Sequence, residues 1–146
     1  PTWVNVIAVT KDGEYVMIRQ YRHGIGRTGT EIVAGVCEEG EQPEAAARRE
    51  LMEETGYSGG TWRETMVISA NTSTMNNVCH CFMATGVECA GSQHLDRTED
   101  IEVCLMSRDE VFALLSEGKI MQSLMAAPLW KHFYEGLTQA QQSGKE

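Results

Sequence analysis

Three glutamates, Glu50, Glu53 and Glu54, stand at i, i+3 and i+4 in a segment that reads as helix. At that spacing the carboxylates share one helix face. Like charges so placed repel by a few tenths of a kcal/mol per pair. They also lie in the second half of the helix, where the macrodipole favours cations over anions. A divalent cation would relieve both penalties, and an all-oxygen donor set selects Mg²⁺, Mn²⁺ or Ca²⁺ over zinc. A solvated acidic face is the alternative for the same residues.

The acidity is concentrated around that helix. Residues 38–57 hold seven acids against two bases, a local charge of −5 in a chain of 146 residues with net charge −9. A protein that binds nucleic acid by neutralising phosphates needs a basic stripe, and the sequence shows none. Its apolar runs, such as Val6-Ile7-Ala8-Val9, fall far short of the ~20 residues of a membrane span, and no signal-like segment opens it. A small-molecule partner, no membrane and a cytoplasmic location are expected. The five cysteines are odd in number and irregular in spacing, so they form no disulfide framework. Cys79-His80-Cys81 has no second ligand pair at a zinc spacing, and reads as a strand with its thiols on one side.

The rest of the chain supplies elements for a single α/β (α+β) domain over residues 1–137, followed by a polar, frayed tail at 138–146. Trp3–Val9 and Tyr15–Ile18 flank Lys11-Asp12-Gly13 and predict a hairpin. Residues 21–30 read as a loop and Glu31–Val33 as a short strand. Pro43 suits a helix start, Ala45–Ala47 its body and Gly56 its stop, with Ala47 and Leu51 facing the core. Strands follow at about 62–69, 77–87 and 100–106. Ser107-x-x-Glu110 is a capping box for a helix that Gly118 ends, and 121–137 predicts a last helix, bent or begun near Pro128.

Gly35, Glu41 and Arg49-Glu50-Leu51-x-Glu53-Glu54-x-Gly56-Tyr57 together resemble the Nudix box at all seven fixed positions, with both apolar positions filled by Leu51 and Tyr57. A chance match at this composition is on the order of one in a million. Arg19-Gln20-Tyr21-Arg22-His23-Gly24, His80-x-Phe82-x-Ala84 and Glu99-Asp100-Ile101-Glu102-Val103 extend the resemblance to the ADP-ribose pyrophosphatase branch. The resemblance implies the Nudix fold, a mixed β-sheet sandwiched between α-helices. It implies hydrolysis of a nucleoside diphosphate linked to X, with Mg²⁺ or Mn²⁺ as cofactor. ADP-ribose, giving AMP and ribose 5-phosphate, is the first candidate. Another nucleotide sugar, a dinucleotide or a coenzyme is an alternative, and a sensor that binds without cleaving is a third.

By position, Glu50 and Glu54 would be the main metal ligands, with Glu53, Glu99 and the Ala34 carbonyl assisting. Arg49 would brace the carboxylates, Glu41 would secure the helix start, and Gly35 would let the backbone approach closely. Glu53 or Glu99 would be the catalytic base, because Arg97 stands where some relatives carry an acid and cannot accept a proton at neutral pH. Arg22, Arg19 and Tyr21 are the candidate substrate contacts, and Arg27 could also meet phosphates. Asn71–Asn77 replaces the Ser-Pro-Gly loop expected in many ADP-ribose hydrolases, which leaves X open. The resemblance further implies a homodimer built partly by an N-terminal extension, which is expected to lie outside this chain.

Overall fold

In the computed structural model, which describes residues 1–98 and 100–143, the organising strand is β1 (Trp3–Thr10). Its burial is nearly continuous from Val4 to Ala8, as expected of a β-branched run covered on both faces. It runs parallel to β7 (Cys79–Cys89) along its whole length and antiparallel to β4 (Val33–Val36) over Trp3–Val6. Lys11–Gly13 turns the chain into β2 (Tyr15–Arg22), but β1 meets β2 at the one register pair Val9–Tyr15. From there β2 diverges, pairing antiparallel with β3 (Arg27–Glu31) on one side and β8 (Ile101–Met106) on the other. The predicted hairpin is therefore a junction between two wings. The outer edge is β6 (Thr61–Ile68), antiparallel to β7, with the two-residue β5 (Tyr57–Ser58) beside it.

Helices cover both faces of the junction. On one face α1 (Pro43–Thr55) packs Ala46, Ala47 and Leu51 against Val4, Val6, Ile18 and Val33. On the other, α2 (Arg108–Ser116) and α3 (Ser123–Ser143) bring Val111, Leu115, Leu129 and Phe133 onto Ile7, Met17 and Ile32. Neighbouring residues of β1 thus enter opposite cores: Val6 the α1 side and Ile7 the α3 side. The sandwich expected from the sequence is the one observed.

Two expectations need correction. The segment 21–30 is largely not a loop, because Arg22↔Arg27 through Ile18↔Glu31 pair as β-ladder and leave a short turn between them. Its Gly and Arg residues outweigh the strand preference of Thr28 and Thr30, and the hydrogen bonds of β2 impose the conformation. The last helix continues past 137 to Ser143, so part of the polar tail is helical, and Pro128 lies inside it rather than at its start. The capping box is formed: Ser107 Oγ accepts from the Glu110 backbone N–H at 3.2 Å and Glu110 Oε2 from that of Ser107 at 2.7 Å.

Candidate active site

The site is assembled where β4 delivers residues 34–36 to the flank of α1. Pro43 stands at the helix start, and Gly56 ends it at φ +76°, donating its N–H to the Met52 carbonyl at 2.8 Å. A Cβ on Gly35 would collide with Cγ, Cδ and Oε1 of Glu50, so the missing side chain is the space in which the Glu50 carboxylate lies. Glu50 Oε1 also accepts the Val36 N–H at 3.3 Å.

Arg49 occupies the centre of the cluster with its whole donor set engaged. Its Nε donates to Glu41 Oε1 at 3.0 Å. Nη1 donates to Glu50 Oε1 at 3.1 Å and Glu53 Oε2 at 2.8 Å. Nη2 donates to the Val36 carbonyl at 3.0 Å and Glu41 Oε2 at 3.1 Å. A guanidinium has five N–H donors in a fixed fork, and each has an acceptor here. The hydrogen bonds that Arg49 donates to Glu41, chiefly, raise the Arg49 pKa still further, and the same contact lowers that of Glu41. Burial dominates at Glu50, pushing its carboxyl pKa up against the opposing influence of Arg49. Glu41 also accepts the Glu38 N–H at 2.9 Å, which fixes the loop leading into α1.

Glu54 is 4% exposed and Glu53 lies at the surface side of the same helix. Among the described residues no three His, Cys, Asp or Glu side chains converge as a ready-made metal cage. Mg²⁺ does not need one: it keeps several waters and uses one or two carboxylates plus substrate phosphates. The donors present suit a hard divalent cation. They are oxygens, one of them is a carboxylate whose burial disfavours the charged state, and the bare α-carbon of Gly35 brings the neighbouring backbone against it.

Of the predicted residues, Gly35, Glu41, Arg49, Glu50 and Glu53 meet in one network beside Ala34, and Leu51 and Tyr57 pack beneath it. Glu99 lies outside the described residues, and Arg97 sits in an exposed turn. The candidate substrate contacts are elsewhere. Arg19 reaches Glu102 on β8 at 3.5 Å, Tyr21 is half exposed against His23, and Arg22 forks onto Glu31 with its shortest contact at 2.6 Å. Trp62 packs against Phe82 and under the Arg48 guanidinium. His80 has a partner that the sequence did not suggest, Glu64 at 2.5 Å, while Cys79 and Cys81 on either side of it are buried and free.

Sequence reasoning also missed Gln93. Its Nε2 donates to the carbonyls of Glu54 at 2.7 Å and Ile101 at 3.0 Å, and the His94 N–H donates to the Glu53 carbonyl at 2.8 Å. The loop after β7 thus caps the carboxylate helix where its last carbonyls lack intrahelical partners. No local motif marks a glutamine for that task.

A mixed sheet between helices, with a carboxylate helix braced by one arginine and a glycine giving its side-chain space to the first glutamate, defines a Nudix domain. The family model described as NUDIX domain matches residues 1–127, and the chain belongs to the Nudix family of hydrolases. An ADP-ribose pyrophosphatase of Bacillus subtilis is 32% identical over 127 residues, 86% of this chain and 69% of that protein. One of Mycobacterium tuberculosis is 29% identical over 126 residues, covering 85% of this chain and 61% of that one. The solved structure titled "Crystal structure of ADP compounds hydrolase" shares the fold, with TM-score 0.80 at 20% identity over 93% of this chain and 74% of that one. Among the described residues no helix is long and apolar enough to cross a membrane.

Proposed function

We propose that the protein hydrolyses the pyrophosphate bond of a nucleoside diphosphate linked to X, with ADP-ribose or a related ADP-sugar as substrate and Mg²⁺ as cofactor. The observation that carries this reading is the Glu50 carboxylate lying in the side-chain space of Gly35 while Arg49 holds it, Glu53 and Glu41 in register. The names of the relatives support the choice of an ADP-sugar.

Glu50, Glu54, Glu53 and the Ala34 carbonyl would hold the cation. When bound, it would supply charge neutralisation for the pyrophosphate and acidify the attacking water. Arg49 acts as a positioning residue: its fork keeps neighbouring carboxylates from splaying apart under their own repulsion. Glu53, on the surface side of α1, or Glu99 would be the base that takes the proton from water. Little more is asked of the protein than alignment and electrostatics.

Purified protein should be assayed with Mg²⁺ against ADP-ribose, other nucleotide sugars, dinucleotides and nucleoside triphosphates, with phosphate release coupled to a phosphatase. ADP-ribose should yield AMP and ribose 5-phosphate, EDTA should abolish the reaction, and Glu54→Gln should lower kcat by roughly a thousandfold or more. A near-normal rate in that variant would remove the metal assignment. Tight calorimetric binding of one compound with turnover of none would make the protein a sensor.

A further inference from the structure

The outward side of α3 carries an apolar seam. Ala127, Trp130, Tyr134 and Leu137 stand at steps of three, four and three residues, the spacing of a coiled-coil seam. All four are exposed, whereas Leu129 and Phe133 on the inward side are buried. The exposure reaches 47% for Trp130, 67% for Tyr134 and 55% for Leu137. Phe112 of α2 widens the seam, standing edge-on to Trp130 with ring centroids 6.0 Å apart. A single exposed apolar residue is ordinary on a protein surface, but several joined in one stripe mark a contact surface.

Charge narrows the choice of partner. Residues 123–143 contain two charged side chains, Lys131 and Glu135, and these pair with each other one turn apart. A neutral helix of 21 residues is therefore set in a chain of net charge −9. A basic partner finds its acidic complement around α1 and not on this helix. Two copies of the chain repel each other by their net charge, and α3 is a face on which they can meet without opposing like charges.

The seam is also close to self-complementary, because Trp130 lies four residues before Tyr134 and Leu137 three after it. We infer that a second copy of this chain covers it, with the two α3 helices antiparallel about a two-fold axis beside Tyr134. Trp130 then packs on the partner's Leu137, Leu137 on the partner's Trp130, and each Tyr134 lies beside its own image. Phe112, Trp130 and Tyr134 leave open the surface of about one and a half aromatic side chains, roughly 300 Å² per copy. Both copies thus bring about 600 Å² of aromatic centre before Leu137 and the polar rim are added, and a stable interface starts near 1,200 Å² in total. The pairing uses no N-terminal extension and does not depend on the hydrolase reading. Because α3 and α1 cover opposite faces of the sheet, the carboxylate helices of both copies stay outside the contact.

Sedimentation equilibrium on the full chain tests the pairing. An interface of this size gives a dissociation constant on the order of 10 µM, so wild type should pass from monomer to dimer across about 1–100 µM. Tyr134→Glu and Tyr134→Lys each place like charges beside the two-fold axis, and each should weaken the dimer roughly tenfold or more. An equimolar mixture of those two variants sets opposite charges there and should associate roughly tenfold more tightly than either alone. Val67→Glu, a charge added at an exposed apolar residue on β6, should leave the dimer intact. If circular dichroism shows a Tyr134 variant unfolded, Trp130→Lys mixed with Leu137→Glu makes the same comparison, because those positions face each other across the axis. A wild-type protein that stays monomeric at about 100 µM overturns the inference and leaves the seam to a different protein. A dimer indifferent to both Tyr134 changes, or a mixture no tighter than its components, overturns it as well.

Discussion

At position 35 a side chain and a carboxylate compete for one volume. Gly35→Ala places a methyl where Glu50 Cγ, Cδ and Oε1 now lie, with no flexible group other than Glu50 itself to give way. The backbone of β4 is held by its Val4 and Asn5 pairings to β1, so the glutamate moves. Displacing a reacting group by about 1 Å can cost on the order of a hundredfold in rate. Gly35→Ala should therefore lower kcat about that much while the circular dichroism spectrum and melting cooperativity persist, and near-wild-type turnover would show that Glu50 does not need its present place. This part of the site was legible in the sequence for a physical reason. Gly35, Glu41, Arg49, Glu50 and Glu53 contact one another within one helix and the strand and loop that lead into it, so their spacing along the chain records their geometry. Glu31 and Gln93 belong to ladders and loops whose partners are set by tertiary structure. Periodicity carries no trace of them.

At the scale of elements, the carboxylate helix is held at its two ends by different means. Its start is local: Pro43, the Glu41 contacts and the Glu38 N–H lie within a few residues. Its end is not, since the Gln93 side chain and the His94 N–H arrive from a loop beyond β7 to take the carbonyls of Glu54 and Glu53. Sequence reading found both boundaries, Pro43 and Gly56, but not the strap over the second. It likewise took 21–30 as a loop, because an edge strand of polar residues looks like one until β2 is beside it. Gln93→Ala leaves two carbonyls, of Glu54 and Ile101, without that amide, and each lost bond in a part-buried place is worth about 1 kcal/mol. A loss of about 1–2 kcal/mol in denaturant unfolding is expected, with kcat falling as the end of α1 frays. An unchanged midpoint would mean that water replaces the strap at no cost.

For the whole molecule, the two cores meet along β1 and β2, and the polar seam on the α3 side sets a pH limit. His132 Nε2 and the Tyr15 hydroxyl are 2.6 Å apart, the ring stands edge-on to Phe133, and the Arg108 guanidinium lies over the ring of that same phenylalanine. Burial, more than the repulsion from Arg108 and Arg63, lowers the His132 pKa, and burial raises that of Tyr15. An imidazole of lowered pKa binds its proton more readily in the unfolded chain than in the fold. The unfolded state therefore carries more protons once the pH drops through about 6.5. Stability from this residue is complete above that pH and declines below it, until the folded state also protonates. The difference between wild type and a His132 variant isolates the effect from the −9 background. His132→Gln removes the titration while leaving an amide for the Tyr15 hydroxyl. Between pH 7.5 and 5.5 the wild-type Tm should fall more than that of His132→Gln, with the two curves running parallel above pH 7. Parallel curves across the whole range would show that His132 protonates as freely in the fold as in the unfolded chain, and would remove this seam as the source of acid sensitivity.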